Sequence, residues 1–395
     1  FWEEGTLELS TLPSGEQLSL AVLVAIGLLM VAALTKSAQV PFQRWLVGAM
    51  VAPTPVSALL HSATMVNLGV YLLLRLSPQI TSAQYMGDAL ALVGGFSFLV
   101  TTILALRQSN AKRVLAYSTV ANLALIVACV GIGTPLSIAA GMVILIFHAI
   151  TKGLLFLTVG VVKHETGSED IESMIELRHR MPFIAIALYA GVFLMLLPAF
   201  GLFAGKWMLS EATIDNIPFL FLFALGLGAT VAYYAKWLGR ALASGPVERE
   251  KEIRWDQPSP WFTVPLLVLI VGAFVLSLSI SLVMDTLISP YLMTFTADPV
   301  EGDLLGLETP LGTLPVLAVF MVVVVSLVLL FYTIRPSKAE LSRAYTCGEG
   351  GDFRVVGSYL YSEAKEGLLL MVGDIVGLAL LVSLFSMAVF TEVLL

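Results

Sequence analysis

Apolar residues fall in ten long blocks along this chain, at about 18–50, 53–76, 87–106, 113–133, 135–162, 182–213, 217–241, 260–284, 314–335 and 366–392. Uninterrupted apolar runs of roughly 18–25 residues predict transmembrane helices. The first and sixth blocks are too long for one straight helix. Longer polar connections fall at 163–181, 242–259, 285–313 and 336–365, and no low-complexity linker separates them. The pattern predicts an all-α, polytopic helix bundle embedded in a lipid bilayer. Composition agrees: 58% of residues are hydrophobic and only 12% are charged, against about 25% charged in soluble domains. So little basic charge excludes a nucleic-acid partner. So much apolar character excludes a disordered chain. Two cysteines, Cys129 and Cys347, are too few for a disulfide framework or a metal cage. The chain opens on Phe1 rather than Met, with no signal-peptide pattern before the first block, which suggests a start partway into a longer protein.

The basic residues orient the spans. The connections after the third, fifth, seventh and ninth blocks hold fifteen of the 21 Lys and Arg residues, and the opposite side holds only Arg75. Basic loops stay on the cytoplasmic side. Loops after residues 106, 162, 241 and 335 are therefore expected in the cytoplasm, and the protein in the cell membrane.

Five basic residues remain, Lys36, Arg44, Lys152, Lys206 and Lys236, each in or near a span. A charge at the centre of a spanning helix costs about 2.5–3.5 kcal/mol on insertion scales, so such residues usually face the bundle interior or a hydrated path. His148 and Lys152 stand four apart in the fifth block and share a helix face. Histidine titrates near neutral pH, and a desolvated lysine exchanges a proton more readily than one in water, so the pair suits a proton relay. The plainer alternative is a lysine reaching out to the interface. Ser57, His61 and Thr64 form a polar stripe in the second block, continued by Tyr71, which either lines a hydrated path or glues two helices together. Tyr117 and Ser118 form a weaker polar run, since hydroxyls often bond back to their own helix. Lys236 either reaches the interface beside Arg240 or serves as an exit. Arg44 reads as an interfacial anchor, and Asp374 is the clearest carboxylate inside a span. His164 and His179 read as solvated loop residues.

The two over-long blocks carry helix breakers beside a lysine. The first contains LTKSAQVPFQRW, with Lys36 ahead of Pro41; the sixth contains LLPAFGLFAGKW, with Pro198, Gly201 and Gly205 ahead of Lys206. Proline removes a backbone donor and glycine loosens the helix, and a break at membrane depth survives only where it is buried or lines water. The two blocks run in opposite directions, an arrangement expected of inverted repeats in transporters.

These residues resemble a known family. KSAQVPFQRWLVGAMVAPTPVSALLHSATMV, NAKRVLAYSTVANL, IFHAITKGLLFL and LPAFGLFAGKW resemble, in order, motifs of the antiporter-like subunits shared by respiratory complex I, Mrp sodium/proton antiporters and energy-converting [NiFe] hydrogenases. The AYTCGEGGDF stretch resembles the hydrogenase-type members more than classical complex I. The resemblance implies a pair of inverted repeats, each with one broken helix and a row of ionisable residues at mid-membrane. It divides the chain into the end of a truncated first repeat (1–76), a second repeat (77–243) and extra C-terminal helices with a cytoplasmic loop (244–395). It implies relay roles for Lys36, His61, His148, Lys152 and Lys206. It also implies that the helices before the first break are absent, with the glutamate that pairs with Lys36. A second histidine that some members carry one turn before the first is Ile144 here.

The expected function is a proton-translocating membrane subunit of a redox-driven complex, an energy-converting hydrogenase or complex I-like membrane arm. An Mrp-type sodium/proton antiporter subunit is the alternative within transport, and a non-pumping scaffold for soluble redox subunits the alternative outside it. No cofactor or metal is expected on this chain, which has no redox site of its own to make it an enzyme. The expected partners are other membrane subunits of a multisubunit redox complex, a chain supplying the missing helices, the bilayer, and protons or sodium.

Overall fold

The computed structural model describes residues 20–175, 177–198, 200–243, 258–294, 302–303, 306–309, 312–333 and 366–394. Helices dominate: α1 (Leu20–Lys36), α2 (Arg44–Gly48), α3 (Thr54–Ser62), α4 (Met65–Arg75), α5 (Ser77–Ser82), α6 (Gln84–Arg107), α7 (Ala111–Ile132), α8 (Pro135–Thr166), α9 (Leu177–Arg180), α10 (Pro182–Leu196), α11 (Gly201–Ala212), α12 (Ile217–Leu242), α13 (Pro260–Leu278), α14 (Ile280–Val283), α15 (Ser289–Leu292), α16 (Val316–Thr333) and α17 (Glu366–Leu394). Among the described residues, seven helical stretches are long and apolar enough to cross a membrane, counting α3–α4 and α10–α11 as one each. The all-α expectation meets one exception. Three short antiparallel strands, β1 (Gly302–Asp303), β2 (Gly306–Thr309) and β3 (Gly312–Leu314), occupy part of the 285–313 connection. They lie in GDLLGLETPLGTL, a stretch too short and Gly-rich to show a strand period.

Local chemistry explains the boundaries. Asn110 caps α7 by accepting from the Arg113 amide, and Gly133 ends that helix in the left-handed region. Thr134 caps α8 with Pro135 at its first position, and left-handed Gly167 ends it. At 32 residues, α8 spans about 48 Å, and it packs against α3, α7, α10, α11 and α13. Helix α7 is buried along nearly its whole length. Its closest neighbour is α6, and small residues make that approach. A Cβ on Gly131 would stand 2.2 Å from the Ala91 amide nitrogen, and one on Gly94 2.6 Å from that of Ala128. Backbones meet this closely only where side chains are minimal, as membrane helix pairs favour.

The first apolar block is not one helix. The chain leaves helical geometry after Lys36 and returns to it at Arg44, with Pro41 between. Ala38 adopts φ 53°, which costs a non-glycine residue roughly 1–2 kcal/mol. Ser37 Oγ donates to the Val66 carbonyl and anchors this turn to α4, where Gly69 leaves room for it. The sixth block is interrupted between Leu196 and Gly201, a stretch that includes Pro198. Gly205 lies inside α11 and is not a breaker, whereas Gly201 stands at the edge of the interruption as the first residue of that helix. Both belong to α11 and serve packing: a Cβ on Gly201 would meet the Phe147 ring at 2.1 Å, and one on Gly205 would meet Ile144 at 2.7 Å, both on α8. The second block holds an interruption with no proline or glycine to announce it. Ala63 and Thr64 leave the helix between α3 and α4, and Asn67 Nδ2 donates to the stranded Ser62 carbonyl.

The loops after α6 and α8 meet at one end of the bundle. Residues 109–111 and 169–171 exchange backbone hydrogen bonds, and the end of α12 joins them.

Candidate functional site

Four buried ionisable side chains gather around α8. His148 and Lys152 lie one turn apart on it, fully buried, and His61 at the end of α3 and Lys206 on α11 are buried beside them. His148 Nε2 lies 3.3 Å from the His61 carbonyl oxygen, which the α3–α4 interruption frees from helical pairing. The His61 ring rests on Phe156, centroids 4.7 Å apart. Among the described residues neither ring nitrogen of His61, nor His148 Nδ1, has a hydrogen-bond partner. Buried polar groups in proteins are nearly always paired, with protein or with water. Three such nitrogens in one place mark a polar interior rather than ordinary core.

Lys152 sits at the centre. Its ammonium donates to Ser118 Oγ on α7 and, at 3.4 Å, to Tyr234 Oη on α12. Tyr233 packs against Tyr234, ring centroids 4.5 Å apart. Lys206 donates to the Met195 carbonyl at 3.2 Å. That carbonyl belongs to the last turn of α10, where the interruption leaves acceptors without a following turn and the helix dipole is negative, a natural seat for a cation. Lys152, Lys206 and His148 lie within electrostatic reach of one another, and Lys152 of His61.

The other sequence candidates spread out. Lys36 is half-buried at the end of α1, and no hydrogen bond or ion pair to it occurs among the described residues. Thr64 is exposed and donates to the Leu59 carbonyl, so the stripe predicted through His61 and Thr64 breaks with the helix; Tyr71 is exposed too. Ser57 is buried and lies 3.4 Å from the Ala52 carbonyl. Tyr117 is buried on α7. Lys236 does not reach out to the interface. It is buried and donates to the carbonyls of Leu106 at 2.6 Å and Gln108 at 2.7 Å, capping the end of α6. Arg44, read as an interfacial anchor, pairs with Asp374 of α17 at 2.5 Å. The same carboxylate accepts from Gln43 at 2.9 Å, so α17 grips the segment around the first interruption. The side chain of His179, Cys347 and the AYTCGEGGDF stretch lie outside the described residues.

Sequence reasoning missed three residues. Tyr234 stands in the YYAKW segment but carries no charge to draw attention. Lys112 counted as a loop lysine and is fully buried. Glu169, its partner at 3.0 Å, looked like an ordinary loop acid. Partial burial pushes the Glu169 carboxyl up, but donors from Lys163, Asn110 and Lys112 outweigh it and bring it down to about 2. Among the described residues no cluster of three or more His, Cys, Asp or Glu is placed to hold a metal ion.

The family model described as NADH:quinone oxidoreductase/Mrp antiporter, transmembrane, matches residues 1–232. The chain belongs to this family. It is a multi-pass membrane protein of the antiporter-like type. A Na(+)/H(+) antiporter subunit of Bacillus subtilis (strain 168) is 30% identical over 387 residues, covering 87% of this chain and 48% of that protein. An NADH-quinone oxidoreductase subunit of Rickettsia felis is 31% identical over 250 residues, covering 62% of this chain and 38% of that protein. Among solved structures, the Mrp complex of Dietzia sp. DQ12-45-1b superposes with a TM-score of 0.61 at 32% identity, over 80% of this chain and 34% of that one. The chain thus spans less than half the length of each relative. All three relatives fall on the Mrp and quinone-oxidoreductase branches.

Proposed function

We propose that this chain is a proton-translocating, antiporter-like subunit of a multisubunit membrane complex. Lys152 is its central proton store, and His61, His148 and Lys206 are its neighbours in the relay. One observation carries this reading: a fully buried ammonium held by neutral hydroxyls, Ser118 and Tyr234, with no carboxylate paired to it among the described residues. An unneutralised buried cation is costly. Such a group can give its proton to a neighbour and later take one back. The non-helical stretches after Lys36 and after Leu196 fit discontinuous spans of two inverted repeats. The fifteen-to-one bias in basic residues supports a cytoplasmic position for the end where the loops after α6 and α8 meet the end of α12.

The match to an antiporter subunit over most of this chain favours a cation/proton antiport complex. The redox-driven branch, energy-converting hydrogenases included, is the second reading, favoured by the AYTCGEGGDF stretch. Moving one charge against 100 mV takes about 2.3 kcal/mol, which cation exchange or a redox reaction elsewhere in the complex would supply. The test is Lys152→Met in the assembled complex, reconstituted in liposomes. Proton translocation is expected to disappear with assembly intact. Unchanged translocation would refute the relay and favour a scaffold. A sodium requirement in the wild type separates the antiport branch from the redox-driven one.

A further inference from the structure

The relay around Lys152 needs a connection to water, and the loop end of the bundle offers one. Lys112, at the start of α7, has no exposed surface. Its ammonium meets Glu169 Oε1 at 3.0 Å and donates to the Ala52 carbonyl at 3.1 Å. Glu169 keeps 18% of its side chain exposed and also pairs with Lys163 at 2.6 Å, a lysine that is 46% exposed. Asn110 Nδ2 holds the other carboxylate oxygen at 3.1 Å. Backbone bonds between Ala111 and Glu169 and between Ile171 and Ser109 fix this loop onto α7.

The inner side of Lys112 leads to the relay. The Ala52 carbonyl that accepts from Lys112 also lies 3.4 Å from Ser57 Oγ, so the ammonium and the hydroxyl share one acceptor. Ser57 and His61 are four residues apart on α3, about 6 Å along its axis. His61 presents two unpartnered buried nitrogens among the described residues, and its carbonyl touches His148, one turn from Lys152. The route is lined on its far wall by α8, which approaches α3 closely where Gly160 meets Thr54.

We infer that Glu169 and Lys112 form the loop-side proton port of this protein, with Glu169 as collector at the surface and Lys112 as buried carrier to the Ser57–His61 face. The inference rests on the relay reading above and adds its point of entry. The step moves one proton and no electrons. The Lys112 ammonium releases a proton toward Ser57 and His61. The neutral amine takes the proton that Glu169 has collected from solution, and both groups regain their starting charge. Lys163 keeps Glu169 from standing as a lone anion while Lys112 is neutral.

The competing role is a clamp, in which Lys112 merely ties α7 to the start of α3. Arginine distinguishes the two, because it keeps the cation and the hydrogen bonds but does not give up its proton. The experiment measures initial proton translocation by the assembled complex in liposomes, with Lys152→Met alongside. Where Lys152→Met is inactive, Lys112→Met and Lys112→Arg are both expected to assemble and to slow translocation roughly a hundredfold, the lower end of what a proton-transfer group contributes. Glu169→Gln is expected to slow it too, with part of the rate restored by formate acting as a diffusible carboxylic acid. A Lys112→Arg complex that translocates at the wild-type rate, beside an inactive Lys152→Met, overturns the port and leaves the relay standing. Should Lys112→Met fail to assemble, Lys112→Arg decides. An active Lys152→Met complex overturns the relay and the port together.

Discussion

The two interruptions, one after Lys36 and one after Leu196, look alike in sequence and differ in space. Each combines a lysine with a proline inside an apolar block. Around the second, Lys206 is buried and donates to Met195 at the carbonyl end of α10, within electrostatic reach of Lys152. Around the first, Lys36 is half-buried, and the contacts of the segment go instead through Gln43 and Arg44 to Asp374. Among the described residues the two lysines therefore sit in different surroundings, and seating a buried ammonium takes more than a helix break beside it. The helix end must present its carbonyls to the ammonium, and neighbouring helices must shut out water. At Lys206 the chain's own α8, α10 and α11 do both.

The sharpest test of that contrast is transport. If the proposed relay operates, Lys206→Met should slow proton translocation about a hundredfold, on the scale of a lost proton-transfer group, and Lys36→Met by clearly less. Equal losses would show that both interruptions carry the same load. Packing comes next. Gly205→Leu should push α11 off α8 at Ile144, destabilising the bundle by about 1–3 kcal/mol. Thermal unfolding in detergent would show a lower Tm, and an unchanged Tm would mean that α11 moves aside freely.

A smaller effect is expected at the first interruption. Asp374→Asn removes the carboxylate that Arg44 and Gln43 share. Because the Arg44 side chain is 64% exposed, the stability change should stay below about 1 kcal/mol. Hydrogen exchange at residues 37–43 should nevertheless rise, while exchange at 197–200 stays as it was. Faster exchange at both would couple the two interruptions. The mildest prediction concerns acid. Glu169, ordinarily near 4.5, titrates at about 2 when its donors hold it. Its pairing therefore contributes stability above 4.5, which is lost as pH falls toward 2. Protection of the Ala111 and Ile171 amides should persist at about pH 5 and fade between about pH 4 and 2. Fading already near pH 5 would mean that the donors do not hold the carboxylate.

Much of the fold was legible because membrane physics writes it in simple terms. Apolar length marks spans, since lipid offers backbone groups no partner. His148 and Lys152 stand four apart, and helical geometry alone puts them on one face. Their third neighbour was harder to see. His61 reaches them through a carbonyl freed between α3 and α4, in HSATMV, where no proline or glycine signals a break. Gly205 misled in the other direction. Glycine in sequence does not distinguish a broken helix from a close crossing, and here Ile144 decides for the crossing.

The sequence by itself determined that the protein is an all-α, multi-pass membrane protein, the imbalance of charge between its connections and the family, because each follows from local composition, period or motif. Tertiary structure alone decided which polar groups meet. Lys112 and Lys163 are both lysines near helix ends in the sequence. Only packing buries the first against Ala52 and Glu169 and leaves the second about half exposed. Gln43 and Asp374 are 331 residues apart in the chain and joined in space. Such pairings depend on where distant helices cross, and the cost of burying a charge is set by its neighbours in space, which sequence order does not specify.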